Sequence, residues 1–316
     1  MLRIAEGYRG GNRWVSEGLA RLYSSTYAEE GWYVRRVGVG DVEAWFSGQP
    51  LGWNALHLLG GSLVGFTWVW RAAGSNTVWV ITDRSAPTWV LTDVVRSALA
   101  WARLALERAG LRGVADVRCG FWSGWLHRLV EGVVGAGLAA SWGTLMVYGG
   151  GASSYAPPSS YGVRLCSPGD ATSIARVVNR AFSQYVWWHL VSPEDVLTRL
   201  RRAGAVCYVA VDEGGDVVGC VDASIYTALD GGLTADVGLL AVDPGHQGRG
   251  LGKALVSAVI EALARRGVRR VGVDSASGLE AFYRSLGFRE CRRWVTVRVP
   301  VPALPQSIPT LEEWGS

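Results

Sequence analysis

Lysine is almost missing from this chain, and neither sign of charge dominates it. Lys253 is the only lysine among 316 residues, and the net charge is +4. A balance this close to neutral is not typical of a nucleic-acid-binding protein. We attribute the shortage of lysine to codon usage or a hot habitat, and we expect no nucleic-acid partner.

Cysteine and histidine are also scarce, and neither forms a metal-binding pattern. The chain has five cysteines and four histidines, all scattered, and no Cys-x-x-Cys spacing. This dispersal argues against a disulfide framework and against a zinc site. We therefore expect a protein that binds no metal.

No apolar run is long enough for a membrane span. Two charge-free stretches, residues 51–70 and 132–163, are interrupted by residues such as glycine, asparagine, serine and proline. A spanning helix needs ~18 or more continuous apolar residues. The N-terminal residues carry charges throughout and lack the apolar core of a signal peptide. We expect a cytoplasmic protein without a membrane partner.

The length and one segment rich in Gly, Ser and Pro indicate two domains. At roughly 100–200 residues per domain, a chain of 316 residues predicts two. Residues 149–162 read GGGASSYAPPSSYG, which is typical of an exposed linker. The predicted division is a first domain at 1–150, a linker at 151–162, a second domain at 163–300 and a Pro-rich tail without a regular pattern at 301–316.

Strands and helices alternate in the second half. Strands predicted at 205–211, 217–226 and 233–242 are followed by an amphipathic helix at 250–266 and a strand at 268–273. Strands joined both by hairpins and by helices predict a mixed α/β fold. The first half repeats this order weakly, so we expect two similar domains, each a twisted mixed β-sheet flanked by helices.

A strand, a Gly-rich turn and a helix follow one another at residues 239–255. The first turn of a helix has backbone N–H groups without intrahelical partners, and they lie at the positive end of the helix dipole. Glycine at 248, 250 and 252 leaves room for a diphosphate to approach. The spacing is not the G-x-G-x-x-G of a dinucleotide-binding fold, and no P-loop motif is present. The turn therefore predicts an anion site.

The whole string resembles the GNAT superfamily of N-acetyltransferases. Gln247, Gly250 and Gly252 match the family signature Q/R-x-x-G-x-G/A, and Val-Asp-Pro at 242–244 matches its lead-in. A second family motif, FY-x-x-x-GF, is matched at residues 282–288. The resemblance covers about residues 161–299.

The resemblance implies that acetyl-CoA lies between two strands that splay apart, at 233–242 and 268–273. Main-chain groups of Leu240 and Val242 would pair with the pantetheine arm, and the amides from Gln247 to Gly252 would hold the diphosphate. The implied cofactor-binding residues are Leu240, Ala241, Val242, Gln247, Gly248, Arg249, Gly250, Leu251, Gly252, Lys253 and Phe282.

Tyr283 would lie beside the sulfur and protonate the leaving thiolate, a role that contributes ~10²–10⁴-fold to rate. The alternative is a half-buried aromatic residue whose hydroxyl has a structural partner. Asp236 is the candidate general base, with a solvated strand-end charge as the alternative. His246 is a further candidate, although its place in the cofactor loop favours exposure to solvent. Ala276 departs from the family, which often has asparagine there.

The acceptor pocket is implied at the segment between the first two helices of the second half. Tyr185, Trp187 and Trp188 are the candidate substrate-binding residues, because aromatic faces attract ammonium groups. Packing against another surface is the alternative. In the first half, Asp93 and Val95 stand where the repeat places two of the loop glycines. We therefore expect a degenerate GNAT-like domain without coenzyme A.

These observations predict an N-acetyltransferase that moves an acetyl group from acetyl-CoA to a primary amine by direct attack. A small-molecule amine is favoured over a protein N-terminus or lysine. The alternatives are a non-catalytic acyl-CoA sensor and an enzyme for a longer acyl donor. The sequence identifies neither the acceptor amine nor an oligomeric state.

Overall fold

A computed structural model describes residues 2–26, 35–47, 53–72, 75–83, 85–118, 125–135, 139–150, 154–183, 190–276 and 278–314. Its contacts divide the chain into two compact units. The first unit comprises Met1–Gly143 together with Arg292–Ser316, and the second comprises Thr144–Cys291. No helix within the described ranges combines the length and the apolar character needed to cross a membrane.

The first unit is built on a mixed sheet. Its elements are β1 (Leu2–Glu6), α1 (Arg13–Thr26), α2 (Val39–Ser47), β2 (Trp53–Leu59), β3 (Ser62–Ala72), β4 (Ser75–Thr82), α3 (Thr88–Arg108), β5 (Val114–Arg118), α4 (Trp125–Val134) and the start of β6 (Ala139–Tyr148). Strands β1 to β4 pair antiparallel in chain order, and β4 then pairs parallel with β5 across the connection made by α3.

The second unit repeats this topology. Its elements are β7 (Tyr161–Leu165), α5 (Ala171–Phe182), α6 (Pro193–Leu200), β8 (Ala205–Asp212), β9 (Val217–Thr227), β10 (Leu233–Val237), β11 (Ala241–Val242), α7 (Leu251–Arg265), β12 (Arg270–Ala276), α8 (Glu280–Arg284) and the start of β13 (Phe288–Pro300). Strands β7 to β10 pair antiparallel in chain order, and β10 pairs parallel with β12 across α7. The same order of pairings in both units confirms the tandem arrangement.

The end of the chain completes the first unit. The last residues of β13 pair antiparallel with β5, and Val297 and Val299 are fully buried in the first unit's core. The Pro-rich tail, for which no regular element was expected, contains β14 (Thr310–Glu313), which pairs parallel with β1. Main-chain pairing with an edge strand thus orders a segment that has no periodic pattern of its own.

Two helical layers enclose the sheet of the second unit. Leu255 and Val259 of α7 belong to one apolar cluster with Ala235 and Val237 of β10. Helices α5 and α6 form a separate cluster with other strand residues, including Val209. Alternate strand residues therefore enter different clusters, as the two-residue period of a strand requires.

A disulfide joins Cys166 to Cys207, contrary to the expectation drawn from the scattered cysteines. The two residues are 41 positions apart, so no short-range spacing reveals the pair. The antiparallel pairing of β7 and β8 brings them together, and the Cys166 N–H donates to the Cys207 carbonyl at 3.0 Å.

Candidate active site

The predicted strand at residues 233–242 is interrupted in the middle. Residues 238–240 separate β10 from β11, and β11 pairs with β9. The register between β10 and β12 ends at Val237 and Val273. The parallel strands therefore stop pairing at their carboxyl ends, which is where the family resemblance places a splayed opening.

Asp222 of β9 shapes this interruption. Its carboxylate accepts a hydrogen bond from the Leu239 N–H at 2.6 Å, and its own carbonyl accepts one from the Gly238 N–H at 2.7 Å. A Cβ atom at Gly238 would stand 2.1 Å from the Asp222 carboxylate, so this position has no room for a side chain. Arg199 of α6 donates to the same carboxylate at 2.8 Å. Sequence reasoning missed Asp222 and Arg199, although a glycine directly after a predicted core strand is a signal for such a bulge.

A short 3₁₀ turn, Pro244–His246, leads from β11 to the Gly-rich turn. The buried carboxylate of Asp243 accepts from the Gly245 N–H at 3.1 Å and forms an ion pair with Arg180 at 2.9 Å. The Gln247 side chain donates to the Val242 carbonyl at 2.9 Å. These bonds hold both sides of the turn, and Arg180 is a third residue that sequence reasoning missed.

Two of the three loop glycines need their backbone freedom, and the third is needed for packing. Gly248 has φ +74° and Gly250 has φ +83°, a region that costs other residues roughly 1–2 kcal/mol. An added Cβ at either position meets no atom within 4 Å, so both face open space. A Cβ at Gly252 would lie 3.3 Å from the Phe282 ring. Gly252 thus lets α7 approach Phe282.

The backbone amides of this turn are unpaired. Helix α7 begins at Leu251, and its first main-chain bond runs from the Ala254 N–H to the Gly250 carbonyl at 3.1 Å. Among the described residues, none accepts a hydrogen bond from the N–H groups of residues 247–253. Seven successive donors are therefore available at the positive end of a helix dipole, which is an arrangement suited to an anion.

The two basic side chains of the turn are held in place by tyrosines. Arg249 donates to the Tyr161 hydroxyl at 2.8 Å, and that hydroxyl also lies 3.1 Å from Nδ1 of His246. The Lys253 ammonium lies 4.8 Å from the centre of the Tyr155 ring. Within the described ranges neither cation is paired with a carboxylate, so both leave the turn positively charged.

Tyr283 lies on α8 in an aromatic environment. Its side chain is buried, and its ring contacts Phe282 and Phe288 edge to face, with centroid distances of 5.0 Å and 5.6 Å. Burial raises the pKa of the Tyr283 hydroxyl, so the group is protonated throughout the neutral range. No hydrogen bond engages this hydroxyl in the part of the chain that the structure describes. It is therefore available as a proton donor.

Asp236 lies on the face of β10 opposite α7. It pairs with Ser224 of β9 and Gly272 of β12, while its neighbours Ala235 and Val237 pack beneath α7. Burial raises the pKa of Asp236 well above its ordinary value, and the negative charge of Asp274 raises it further. Asp274 stands two residues beyond Gly272 and so shares this face of the sheet. The sequence analysis did not single it out.

The remaining predicted residues divide into two groups. Leu240 and Val242 are half-buried and pack against the α7 cluster, and Ala241 is buried. Tyr185, Trp187 and Trp188, predicted to line the acceptor pocket, lie outside the described residues.

Comparison with known proteins bears on the same segment. Residues 174–288 match the model of the acetyltransferase (GNAT) family. This segment is a GNAT acetyltransferase domain. The matched range includes the split strand, the Gly-rich turn, Asp236 and Tyr283, and the family uses acetyl-CoA as its cosubstrate.

Two curated relatives are similar to parts of the chain. A mycothiol acetyltransferase of Amycolatopsis mediterranei (strain U-32) is 33% identical over 137 residues, which are 40% of this chain and 45% of that protein. The chain thus spans less than half the length of this relative. An aminoglycoside N(6')-acetyltransferase type 1 of Stenotrophomonas maltophilia is 29% identical over 147 residues, which are 44% of this chain and 93% of that protein.

A solved structure supports the tandem fold. A tandem GNAT protein from the clavulanic acid biosynthesis pathway, solved without acetyl-CoA, has a TM-score of 0.72 at 19% identity. The likeness covers 95% of this chain and 99% of that one, so the first unit shares the fold as well as the GNAT domain.

Among its described residues, the first unit does not repeat the Gly-rich turn of the GNAT domain. Helix α3 has 21 residues and α7 has 15, and α3 begins at Thr88. Val90 and Val95 are buried inside α3, and the Leu91 N–H donates to the Pro87 carbonyl at 3.2 Å. Helical residues therefore stand at the start of α3, where α7 is preceded by the open turn.

Proposed function

We propose that this protein is an N-acetyltransferase that moves an acetyl group from acetyl-CoA to the primary amine of a small molecule. The observation that carries the proposal is the run of seven unpaired N–H groups at residues 247–253, at the start of α7. Such a run suits a diphosphate, because its oxygens can accept hydrogen bonds from several N–H donors at once.

The cofactor arm is assigned to the interrupted strand. Acetyl-CoA, when bound, supplies the thioester that the amine attacks. The amides of residues 247–253 hold its diphosphate, with Arg249 and Lys253 adding positive charge. Main-chain groups of Leu240 and Val242 hold the pantetheine, because the bulge supported by Asp222 turns this edge away from β12.

Two side chains are assigned to the proton transfers. Tyr283 gives its proton to the departing sulfur, because burial keeps its hydroxyl protonated. Asp236 accepts the proton that the amine loses, and its raised pKa makes it a stronger base than an exposed carboxylate. The acceptor attacks as the neutral amine, so an acceptor that arrives as an ammonium ion first loses one proton to solvent. Bond formation between nitrogen and the acetyl carbon then accompanies cleavage of the carbon–sulfur bond. A second nitrogen proton passes to Asp236 and the Tyr283 proton passes to sulfur, which leaves a neutral amide and a neutral thiol.

The acceptor is a small amine on two grounds. The relatives described above are named for mycothiol and for aminoglycosides, which are small molecules. The face of the sheet that holds Asp236 also holds Asp274, and carboxylates favour a substrate that arrives as an ammonium ion. Both grounds favour a small cationic acceptor.

The decisive experiment compares Tyr283→Phe with the wild type. We expect turnover with a panel of small amines, measured as thiol release from acetyl-CoA, to fall by ~10²–10⁴-fold. We expect the dissociation constant of coenzyme A, measured by calorimetry, to stay the same, because the diphosphate turn is untouched. Tyr208→Phe, at a half-buried tyrosine of β8, is the matched control. Tight coenzyme A binding without wild-type turnover on any amine would instead favour the sensor.

A further inference from the structure

A large cleft lies in the first unit, far from the elements that correspond to the GNAT domain's cofactor turn. Its volume is about 1130 Å³. Its walls come from the carboxyl end of β1 and the residues after it, α2, the start of β2, the second half of α3, and the end of β14 with the residue after it. Strands β1 to β4 alternate in direction, so this end of the sheet is opposite the end where β4 leads into α3. The cleft is therefore a separate feature of the first unit.

Aromatic side chains form much of the cleft wall. Tyr8 and Trp101 are buried, whereas Trp53 is 38% exposed. Trp314 lies edge to face with Tyr8, with ring centres 5.2 Å apart, and the main-chain N–H of Trp314 donates to the Glu6 carbonyl at 2.9 Å. The C-terminal tail thus supplies one wall of the cleft. Exposed aromatic rings around a cleft favour a ligand with a flat ring.

Two glutamates and two arginines line the cleft, and one of the arginines is unpaired among the described residues. The two carboxylate oxygens of Glu6 accept from Trp101 Nε1 and from Arg108, each at 2.9 Å, so this negative charge is compensated. Glu313 also has an interaction partner. Arg9 lines the cleft, is exposed, and has no ion pair or hydrogen bond within the described ranges. Its guanidinium is placed to bind an acidic group.

One buried acceptor in the cleft wall has no partner. The Asn54 side chain is 5% exposed, and its amide nitrogen donates to the Tyr8 carbonyl at 2.9 Å. Its oxygen, Oδ1, has no hydrogen bond in the described part of the chain. An unpaired buried acceptor costs about 1–3 kcal/mol. The oxygen has almost no accessible surface, so an N–H group of a ligand would satisfy it only after the Asn54 side chain turns towards the cleft.

We propose that the cleft of the first unit binds a small organic anion that carries a flat ring and an N–H donor. The ring packs against Trp53 and Trp314, the acidic group pairs with Arg9, and the N–H donates to Oδ1 of Asn54. The first unit is then a ligand-binding module. This site does not depend on the proposed acetyl transfer.

Three related probes test the recognition. Indole-3-acetate has the ring, the carboxylate and the N–H. Naphthalene-1-acetate lacks the N–H, and 3-methylindole lacks the carboxylate. Calorimetric titration of the full chain is expected to show one site for indole-3-acetate and weaker binding of both other compounds. Equal affinity for all three compounds, or no heat with any of them, would overturn the proposal.

Two variants with matched controls test the residues. Arg9→Gln is expected to weaken indole-3-acetate binding about tenfold or more, because it removes a charge-assisted hydrogen bond. Trp53→Leu is expected to weaken it at least about threefold, through lost ring contact. Arg13→Gln and Trp89→Leu are controls, at an exposed arginine and an exposed tryptophan outside the cleft wall. Unchanged thermal unfolding shows that each variant is folded, and equal binding by variant and control would contradict the assignment.

Discussion

Gly250 and Gly215 have nearly the same backbone conformation, with φ +83° and φ +82°. Gly250 caps α7 in the unpaired turn, whereas Gly215 is in the hairpin between β8 and β9. An added Cβ meets no atom within 4 Å at either position. Alanine substitution at each of these two glycines therefore distinguishes the stability cost of a strained backbone from a loss of anion binding.

Substitution by alanine is expected to destabilise the two variants equally. A non-glycine residue in this region costs roughly 1–2 kcal/mol, and no steric clash adds to it at either glycine. Gly250→Ala should also weaken coenzyme A binding, because the methyl group projects into the space where the diphosphate approaches. Loss of one hydrogen bond to a charged group costs about 1.5–3 kcal/mol, which is roughly a 10- to 150-fold change in affinity.

Urea unfolding measures the first effect, and calorimetric titration with coenzyme A measures the second. Gly215→Ala should match Gly250→Ala in the free energy of unfolding while keeping wild-type affinity. If Gly250→Ala binds coenzyme A as tightly as Gly215→Ala does, the diphosphate is not held at this turn. The function proposed for the GNAT domain then loses its main support.

Three further predictions follow from the ionisable groups. Asp274→Asn removes a negative charge that raises the pKa of Asp236. The acidic limb of the pH profile of kcat/KM should therefore move to lower pH. If this limb does not move, Asp236 is not the base. Asp222→Ala removes the acceptor of the Leu239 N–H and should raise the steady-state KM for acetyl-CoA about tenfold. Asp222→Asn keeps an oxygen there and should raise the KM less. Equal KM values for the two variants would contradict this role of Asp222. Burial lowers the pKa of His57 from 6.5 to about 3, so between these pH values the folded state binds fewer protons than the unfolded state. The free energy of unfolding should therefore fall as pH drops from 6.5 towards 3. Urea titrations at several pH values should show that this free energy depends less on pH in His57→Gln than in the wild type.

The Gly-rich turn at the start of α7 was predictable because its geometry is local. Gly248, Gly250 and Gly252 are close in the sequence, and the following helix has the apolar period of a buried element. The positive φ angles open to glycine and the direction of the helix dipole both depend on neighbouring residues alone. The sequence therefore predicts a turn of exposed amides at the start of this helix. Tyr283 follows from a second short motif in the same way.

The supporting residues were not predictable, because they act across distant strands. Asp222 reaches Leu239 across 17 positions, and Cys166 meets Cys207 across 41. Each has an ordinary sequence context, and only the antiparallel pairing of strands gives it a partner. Asp274 likewise becomes relevant because the parallel register of β10 and β12 places it on the face that holds Asp236.

By itself, the sequence determined the order of strands and helices, the repeat of that order, and the Gly-rich turn before α7. All three depend on periodicity or on glycine positions within a few residues. The tertiary structure alone decided that the splayed strand is supported by Asp222, that a buried oxygen of Asn54 lacks a partner, and that Trp314 closes a cleft beside Tyr8. These features depend on which distant segments pair, because burial and hydrogen-bond satisfaction are properties of the assembled fold.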